Sequence, residues 1–536
     1  MSLKRIAIAF SVAALLVPLV GFGQSQTQPQ AQAPQATGAK SLSLTLDDCI
    51  VRALKNNISI QVAEFSPELA QESLSGARAQ YMPTMSFTYR PSRSENATYS
   101  WLDTSGTSVF QDNQNYSGSL SELTPLGGTL SISLSGSRTH TNQRAVTIDP
   151  RYSASLQFSY NQPLLRSFGP KVTNRNIVIA ANSLESSEVS FYKTVQDTIY
   201  SVIQAYWGLV YSIENLKVQQ IGLQLSKDLL AKNQLSVEIG TMAQLDLLTA
   251  QADVASREAG ILAAEASVKS SEDSLKTLIN LSAEEEKGLR DLVMLDKPGF
   301  EEQKVSLDQA LMIAMDKRPD LKISRISLKN TDISLSYAKN QLLPDLRVNA
   351  SWTSPGQSGT QLIYDQSGAL GGVVIGSVVG LPSQAWKDSF GFKYANWSVG
   401  LTLSVNLSDY LTRASYAQAK INMDQALMSM KQQEQSVVME IRNAVRALDT
   451  SFKQVQAYKL ASSLSEQKYN AEQEKLRVGQ STNYTVLQFL RDLLSAKVSE
   501  LNAIISYNVA QAGLDRSMGV LLEKKNIKIT DVLRNN

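Results

Sequence analysis

From about Lys171 to Leu281, apolar residues recur along the chain at a spacing of seven. One row is Ile177, Leu184, Phe191, Thr198 and Ala205, and the interleaved row is Ala181, Glu188, Val195, Val202, Leu209, Leu216, Leu223 and Leu230. Apart from Thr198 and Glu188 these are apolar, which is the seam of a coiled coil. A further row, Tyr192, Ile199, Tyr206 and Ile213, runs beside it. A helix with two adjacent apolar seams needs a neighbour on each side, as the staves of a closed ring do. At about 1.5 Å per residue the arm reaches on the order of 100 Å, long enough to span a compartment.

Gly240 interrupts this tract, and a second arm follows from Ala243 to Leu281. The same arrangement returns downstream, with an arm from Ser408 to about Val478, Gly479, and an arm from Asn483 to Leu521. Glycine at each bend supplies the backbone freedom that reverses one long helix into another. Both helical hairpins, 171–281 and 408–521, are preceded by the same two kinds of segment. Short helices are expected at 45–82 and 306–343, with Thr45 and Asp48 placed for a capping box and Ser306 and Gln309 for its counterpart. Pro83 and Pro344 then break the helix and open period-two alternation, Met85, Phe87, Tyr89 in one case and Leu346, Val348, Ala350 in the other.

Leu307 lies 261 positions after Leu46, and that offset holds without a gap. It pairs Asp47 with Asp308, Ala53 with Ala314, Ser73 with Ser334, Ala77 with Ala338, Gln80 with Gln341 and Pro83 with Pro344. A register kept this far predicts an internal repeat. The expected boundaries are a first repeat at 44–281, a charged linker at 282–304, a second repeat at 305–522 and a polar tail at 523–536.

Strands and loops are expected at 84–161 and 345–407. Tyr152 to Tyr160 and Trp397 to Val405 alternate apolar with small polar residues, the pattern of a strand with lipid on one face and water on the other. A half-buried soluble sheet is the alternative. Residues 90–115, 136–150 and 354–394 read as long connections rich in Ser, Thr, Asn or Gly. Pro125-Leu-Gly-Gly128 reads as a turn, so 120–136 predicts an extra hairpin, either in the sheet or above it.

The first residues change the address. Met1-Ser-Leu-Lys4-Arg5, the apolar run Ile6 to Val20 and small residues to Gly23 form a secretory signal, expected at 1–23, with a disordered Gln, Ala and Pro-rich lead-in at 24–43. No later run has the length of a membrane-spanning helix. A net charge of +2 with 19% charged residues marks no polyanion-binding face, so nucleic acid is not an expected partner. The single cysteine, Cys49, falls inside a helix as a small buried residue, which excludes a disulfide within the chain.

Together these features resemble the TolC-like outer-membrane efflux protein family over essentially the whole chain after the signal. The residues that carry the resemblance are Leu307-Asp-Gln-Ala-Leu311 through Ala314 to Arg318-Pro319-Asp320-Leu321, the Gln341-Leu-Leu-Pro344 step, Gln162-Pro163-Leu164-Leu165 after a strand, and the two glycine bends. The resemblance implies a mainly α fold with β, in which an internally duplicated strand–helix repeat forms a trimeric outer-membrane β-barrel continued by a long periplasmic α-helical coiled-coil barrel. Four strands from each chain of the homotrimer would give twelve. It implies an exit duct in contact with outer-membrane lipid, docking on a periplasmic adaptor and an inner-membrane RND or ABC transporter of a tripartite efflux or type I secretion system. The tips would be built from Val237, Gly240, Thr241, Asp246, Val478, Gly479, Ser481 and Thr485, and the helix-to-strand transitions from Pro83, Pro163 and Pro344. In relatives an Asp six positions after the first glycine joins a Tyr and an Arg flanking the second, and acidic residues ring the entrance. Here Asp246 matches, whereas Leu476, Ser481, Thr485 and Gln488 stand at the other positions. A substitute lock could draw on Glu238, Arg477, Arg491 or Asp492.

Catalytic chemistry has few materials. The one histidine, His140, falls in a Ser/Thr-rich segment read as an exposed loop, which leaves nothing for a triad or a His-based metal site. Asp47 and Asp48, like Glu284 to Glu286, read as helix-start and surface charge, and Gly368 to Gly380 lacks the Lys-Ser/Thr ending of a phosphate loop. No enzyme activity, cofactor or metal is expected. The competing readings are a passive export duct, a periplasmic coiled-coil scaffold or adhesin without a pore, and an outer-membrane enzyme.

Overall fold

The computed structural model describes residues 40–527 apart from 99, 101–102, 105, 145, 241, 283–288 and 366–372. The signal at 1–23, the lead-in as far as residue 39, Thr241 and the tail beyond residue 527 lie outside the described residues. In chain order the elements are β1 (Lys40–Leu44), α1 (Leu46–Asn56), α2 (Ile58–Arg78), β2 (Thr84–Ala97), β3 (Ser108–Leu123), β4 (Thr129–Thr141), β5 (Ile148–Pro163), α3 (Pro170–Thr173), α4 (Arg175–Glu238) and α5 (Gln244–Ile279). They continue with β6 (Leu289–Met294), α6 (Leu307–Lys317), α7 (Pro319–Gln341), β7 (Asp345–Tyr364), β8 (Val374–Val378), α8 (Pro382–Phe390), β9 (Asn396–Ser404), α9 (Tyr410–Arg477), α10 (Asn483–Met518) and α11 (Leu521–Lys524).

At the start of α1, the Thr45 hydroxyl accepts from the Asp48 N–H while the Asp48 carboxylate accepts from the Thr45 N–H, the capping box the sequence predicts. The counterpart at α6 differs, because Ser306 makes no side-chain capping bond. Asp308 in the first turn supplies the negative charge that suits the positive end of that helix. Asn57 holds the α1/α2 kink, accepting from the N–H groups of Ser59 and Ile60 and donating to the Leu278 carbonyl. Arg318 holds the α6/α7 kink with a bidentate pair to Asp320 and a 2.6 Å bond to Glu440 on α9.

Helices α4 and α9 are 64 and 68 residues long, about 100 Å each. Each reverses at its glycine into a 36-residue partner, α5 or α10. The two apolar rows of α4 are buried together only between Phe191 and Val210, where α1, β1, β6 and the ends of α5 and α10 pack on them. Beyond that stretch the seam departs from the expected one. Leu223 and Leu230 are half-buried, Ala181 and Glu188 are exposed, and Gly222, Ser226, Leu229 and Asn233 hold the centre instead. A straight helix drifts about 20° per heptad against a seven-residue repeat. At Gly222 the missing side chain admits Leu494 and Arg257, since a Cβ there would lie 2.5 Å from Leu494 Cδ1.

A second apolar core joins α6 and α7 to α9 and α10 through Ala310, Ala314, Leu321, Val437, Ile441 and Tyr507. Three stretches read as loosely held take part in cores or pairs. β1, all but Leu44 of it assigned to the lead-in, pairs in parallel with β6, assigned to the linker, and buries Leu44 and Leu292. In the tail, Lys524 pairs with the buried Asp515 at 2.5 Å. Cys49 is fully buried, and burial pushes its thiol up to about 12.

The large sheet runs β2-β3-β4-β5-β7, with β8 and β9 both on the far side of β7. The segment 120–136 is therefore in the sheet. The connections read as 90–115, 136–150 and 354–394 are mostly strand or helix, because much of their Ser, Thr and Asn backbone pairs with a neighbouring strand. His140 sits near the end of β4 rather than in an exposed loop, with Nδ1 2.8 Å from Asp149.

Candidate functional site: wall faces and hairpin tips

Period-two alternation gives the sheet two unlike faces. On one face a single row crosses it as Met85, Leu120, Ile132, Phe158, Trp352 and Trp397. Phe87, Leu134 and Leu156 continue that face in the next row. The opposite face carries the row Thr84, Ser121, Ser131, Ser159, Ser351 and Ser398, every member a hydroxyl. Neighbouring hydroxyls bond across strands, Ser86 to Ser119 at 2.8 Å and Ser351 to Ser398 at 2.8 Å. This polar face is concave around an open hollow of about 1150 Å³, lined by residues such as Thr88, Asn115, Ser135, Ser155 and Gln357. The edge strands β2 and β9 are exposed along their whole length, with Met85 81% and Trp397 76% exposed.

The three prolines sit where helix and sheet exchange. Pro83 and Pro344 immediately precede β2 and β7, and Pro163 closes β5. The Gln341–Pro344 and Gln162–Leu165 steps named from sequence meet at one corner. Leu164 donates its N–H to the Leu346 carbonyl, Arg166 Nε to Gln341 Oε1 at 2.9 Å, and Ser167 N–H to Asn340 Oδ1 at 2.8 Å.

At the opposite end of the helices both bends carry glycine in the left-handed region, Gly240 and Gly479 each at φ +76°. Nothing lies within 4 Å of a Cβ built on either, so the backbone angle alone requires glycine. At the second tip the Gln480 N–H reaches the Lys475 carbonyl and the Gly479 N–H the Leu476 carbonyl, a Schellman closure of α9. Thr482 then caps α10 by accepting from the Thr485 N–H. At the first tip the Gly240 N–H reaches the Val237 carbonyl.

The side chains that the resemblance groups at the entrance engage different partners. Asp246 is half-buried, and its backbone carbonyl, not its carboxylate, takes the Asn483 side chain at 3.2 Å. Ser481 donates to Glu472 at 2.6 Å, and that bond, with help from Lys475, holds the Glu472 carboxyl below its usual range. Val478 is exposed, Arg477 pairs with Glu474 on its own helix, and Glu238 and Asp492 are exposed.

The fourth substitute, Arg491, joins a buried ion-pair knot, and its partner is a residue the sequence reading missed. Asp253 on α5 is 3% exposed and accepts from Arg257 Nε at 2.6 Å, Arg491 Nη2 at 2.8 Å and Ser226 Oγ at 2.9 Å. Burial works to raise this carboxyl, but bonds from Arg491, Arg257 and Ser226 outweigh it and hold the group below its ordinary value. The knot ties α4 and α5 of one hairpin to α10 of the other. Beside it Leu229, Tyr469, Val486, Leu487, Leu490, Leu493 and Leu494 form a third core. The signal was an Asp–Arg pair at i, i+4 within a row holding Ala250 and Val254, where a solvated charge has no place.

The sequence family described as outer membrane efflux protein matches residues 128–281 and 311–520. No curated protein matches the chain. Among solved structures, the Campylobacter jejuni CmeC outer membrane channel is similar at 15% identity and a TM-score of 0.65, with 97% of this chain and 98% of that one covered. The Vibrio cholerae outer membrane protein VceC is similar at 15% identity and 0.60, covering 88% and 96%. The open state of the Neisseria gonorrhoeae MtrE outer membrane channel is similar at 17% identity and 0.57, covering 91% and 94%.

Proposed function

The chain belongs to the outer membrane efflux protein family, and from that premise we propose that it is a passive exit duct in which three copies close around a common lumen. Family membership places it in the outer membrane, with the helical part in the periplasm. The observation that carries the duct is the sheet. One face is apolar and suited to lipid, the other is a concave hydroxyl surface suited to water, and both edge strands lie open. An open edge with a lipid-facing side does not persist in a bilayer, where every backbone N–H and C=O must be paired. Closure must come from other copies, β2 of one against β9 of the next.

The helices support the same reading. Ile58, Val62, Phe65 and Leu69 form an exposed apolar stripe on α2, and Leu411, Ile421 and Met428 another along α9. Stripes of this kind mark surfaces covered in the assembly. The matched offset of 261 residues supports an internal duplication, in which each half contributes strands and a helical hairpin. The tips, with Gly240, Asp246, Gly479, Ser481 and Thr485, then face a periplasmic adaptor and an inner-membrane transporter. Export through the duct is transport without bond chemistry.

The test is direct. The protein fractionates with the outer membrane, migrates as a trimer in mild detergent and conducts ions across a planar bilayer. A soluble or monomeric product ends this reading and leaves the scaffold reading in its place.

A further inference from the structure

Between the strands that lead from α2 and into α4 the chain inserts the hairpin β3–β4. It is paired on both flanks, Thr84–Ala97 of β2 against Ser121–Ser108 of β3, and Thr129–Thr139 of β4 against Asn161–Arg151 of β5. Its turn is seated at the corner below the sheet, where the Gly169 N–H and the Gln162 side chain both donate to the Leu126 carbonyl. A Cβ on Gly127 would lie 2.5 Å from the Ser167 carbonyl, so the turn is fitted to that corner. The hairpin carries the same two faces as its neighbours, Leu120, Ile132 and Leu134 on one side, Ser117, Ser119, Ser121, Ser131, Ser133 and Ser135 on the other. By contrast β8 pairs only with Gln361–Tyr364, on the side of β7 that β9 takes lower down at Asp345–Thr353, so it adds height and not girth.

We propose that this hairpin is part of the membrane wall, so that each chain contributes six strands and three chains close an eighteen-stranded barrel. The proposal rests on the three-copy reading above and fixes the seam between copies. β2 runs away from the helices and β9 runs toward them, so the two edges meet antiparallel. Within one chain the row that begins at Thr84 ends at Ser398. Full overlap of β9 with the next β2 sets Thr84 opposite Ser404 and Ser92 opposite Asn396, a stagger of about six residues over six strands. One residue of stagger per strand, with a rise of about 3.3 Å and a spacing of about 4.8 Å, is a tilt of about 35°. That lies within the range of membrane barrels.

The same register keeps the faces matched. Met85, Phe87 and Tyr89 fall beside Leu403, Leu401 and Val399, while Ser86 and Thr88 fall beside Thr402 and Gly400. A slip of one residue would turn one of these sets inward. At equal tilt the backbone diameter rises from about 22 Å for twelve strands to about 34 Å for eighteen. The outer-membrane section therefore admits bulkier cargo than a twelve-stranded wall.

Electron cryo-microscopy of the intact assembly at strand-resolving detail counts the wall. Eighteen strands are expected. Twelve strands in a three-chain particle overturn the proposal and leave the duct standing, whereas another copy number overturns the duct on which it rests. In whole cells, with Cys49→Ser as background, cysteines at Leu120 and Ile132 should resist an aqueous maleimide and those at Ser119 and Ser133 should react. Reaction at all four positions puts the hairpin outside the wall and overturns the proposal.

Discussion

Asp253 is a carboxylate in a place that tolerates one only because three donors converge on it. Removing one partner of a buried ion pair costs about 3–5 kcal/mol, since the other charge stays behind. In Asp253→Ala that charge is Arg257, 10% exposed, and the expected loss of packing between the hairpins is about 3 kcal/mol. Faster hydrogen exchange in Gln244–Ile279 and Asn483–Met518, with a larger bilayer conductance, checks it. The pH dependence follows from the depressed folded-state value. The knot's contribution is fully present above the ordinary carboxylate value near 4 and is lost as pH falls through the lower folded value. Conductance should hold steady from pH 7 to about 5 and rise only in stronger acid. At the bends, proline cannot adopt φ +76°, so Gly240→Pro and Gly479→Pro should abolish export while insertion persists. Efflux assays run beside membrane fractionation read both outcomes. The Asp253–Arg257 half of the knot was legible as an i, i+4 pair, whereas Arg491 was named without its partner. Nothing local to either residue records that 238 positions of chain return to the same point.

At the scale of elements the alternation along the strands translates into two faces with distinct tolerances. Phe158 lies near the middle of the apolar band and Gln157 points the other way. A lysine on a lipid face near mid-bilayer costs about 2–4 kcal/mol. Phe158→Lys should therefore lower the yield of assembled, heat-resistant protein, and Gln157→Lys should leave it close to normal, as read by gel mobility after outer-membrane extraction. The strands flanking each proline were legible because proline and alternation act locally. The upper parts of β3 and β4 were not. Ser108 to Asn115 reads as loop by composition, and only pairing with β2, joined from Gln111 onward by β4, makes it strand. The cap at α6 shows the reverse case, a good local signal at Ser306 that the structure does not use. Seven-residue spacing likewise located α4 but not its whole seam, because the buried side changes where Gly222 lets the second hairpin approach.

Across the whole molecule, one chain leaves its sticky parts uncovered at both levels, the edges β2 and β9 in the sheet and the apolar stripes on α2 and α9 below it. A protein that buries only part of its apolar surface alone completes itself by association, and a closed ring is the arrangement that satisfies every edge at once. In the proposed assembly the bend residues at one end and the hydroxyl face at the other are the two mouths of one passage. Projection images of the outer-membrane-extracted particle, viewed down its long axis, test this most directly. Three chains around a continuous hollow centre from wall to tips are expected, and a solid rod or a lone chain without a lumen would contradict a closed ring.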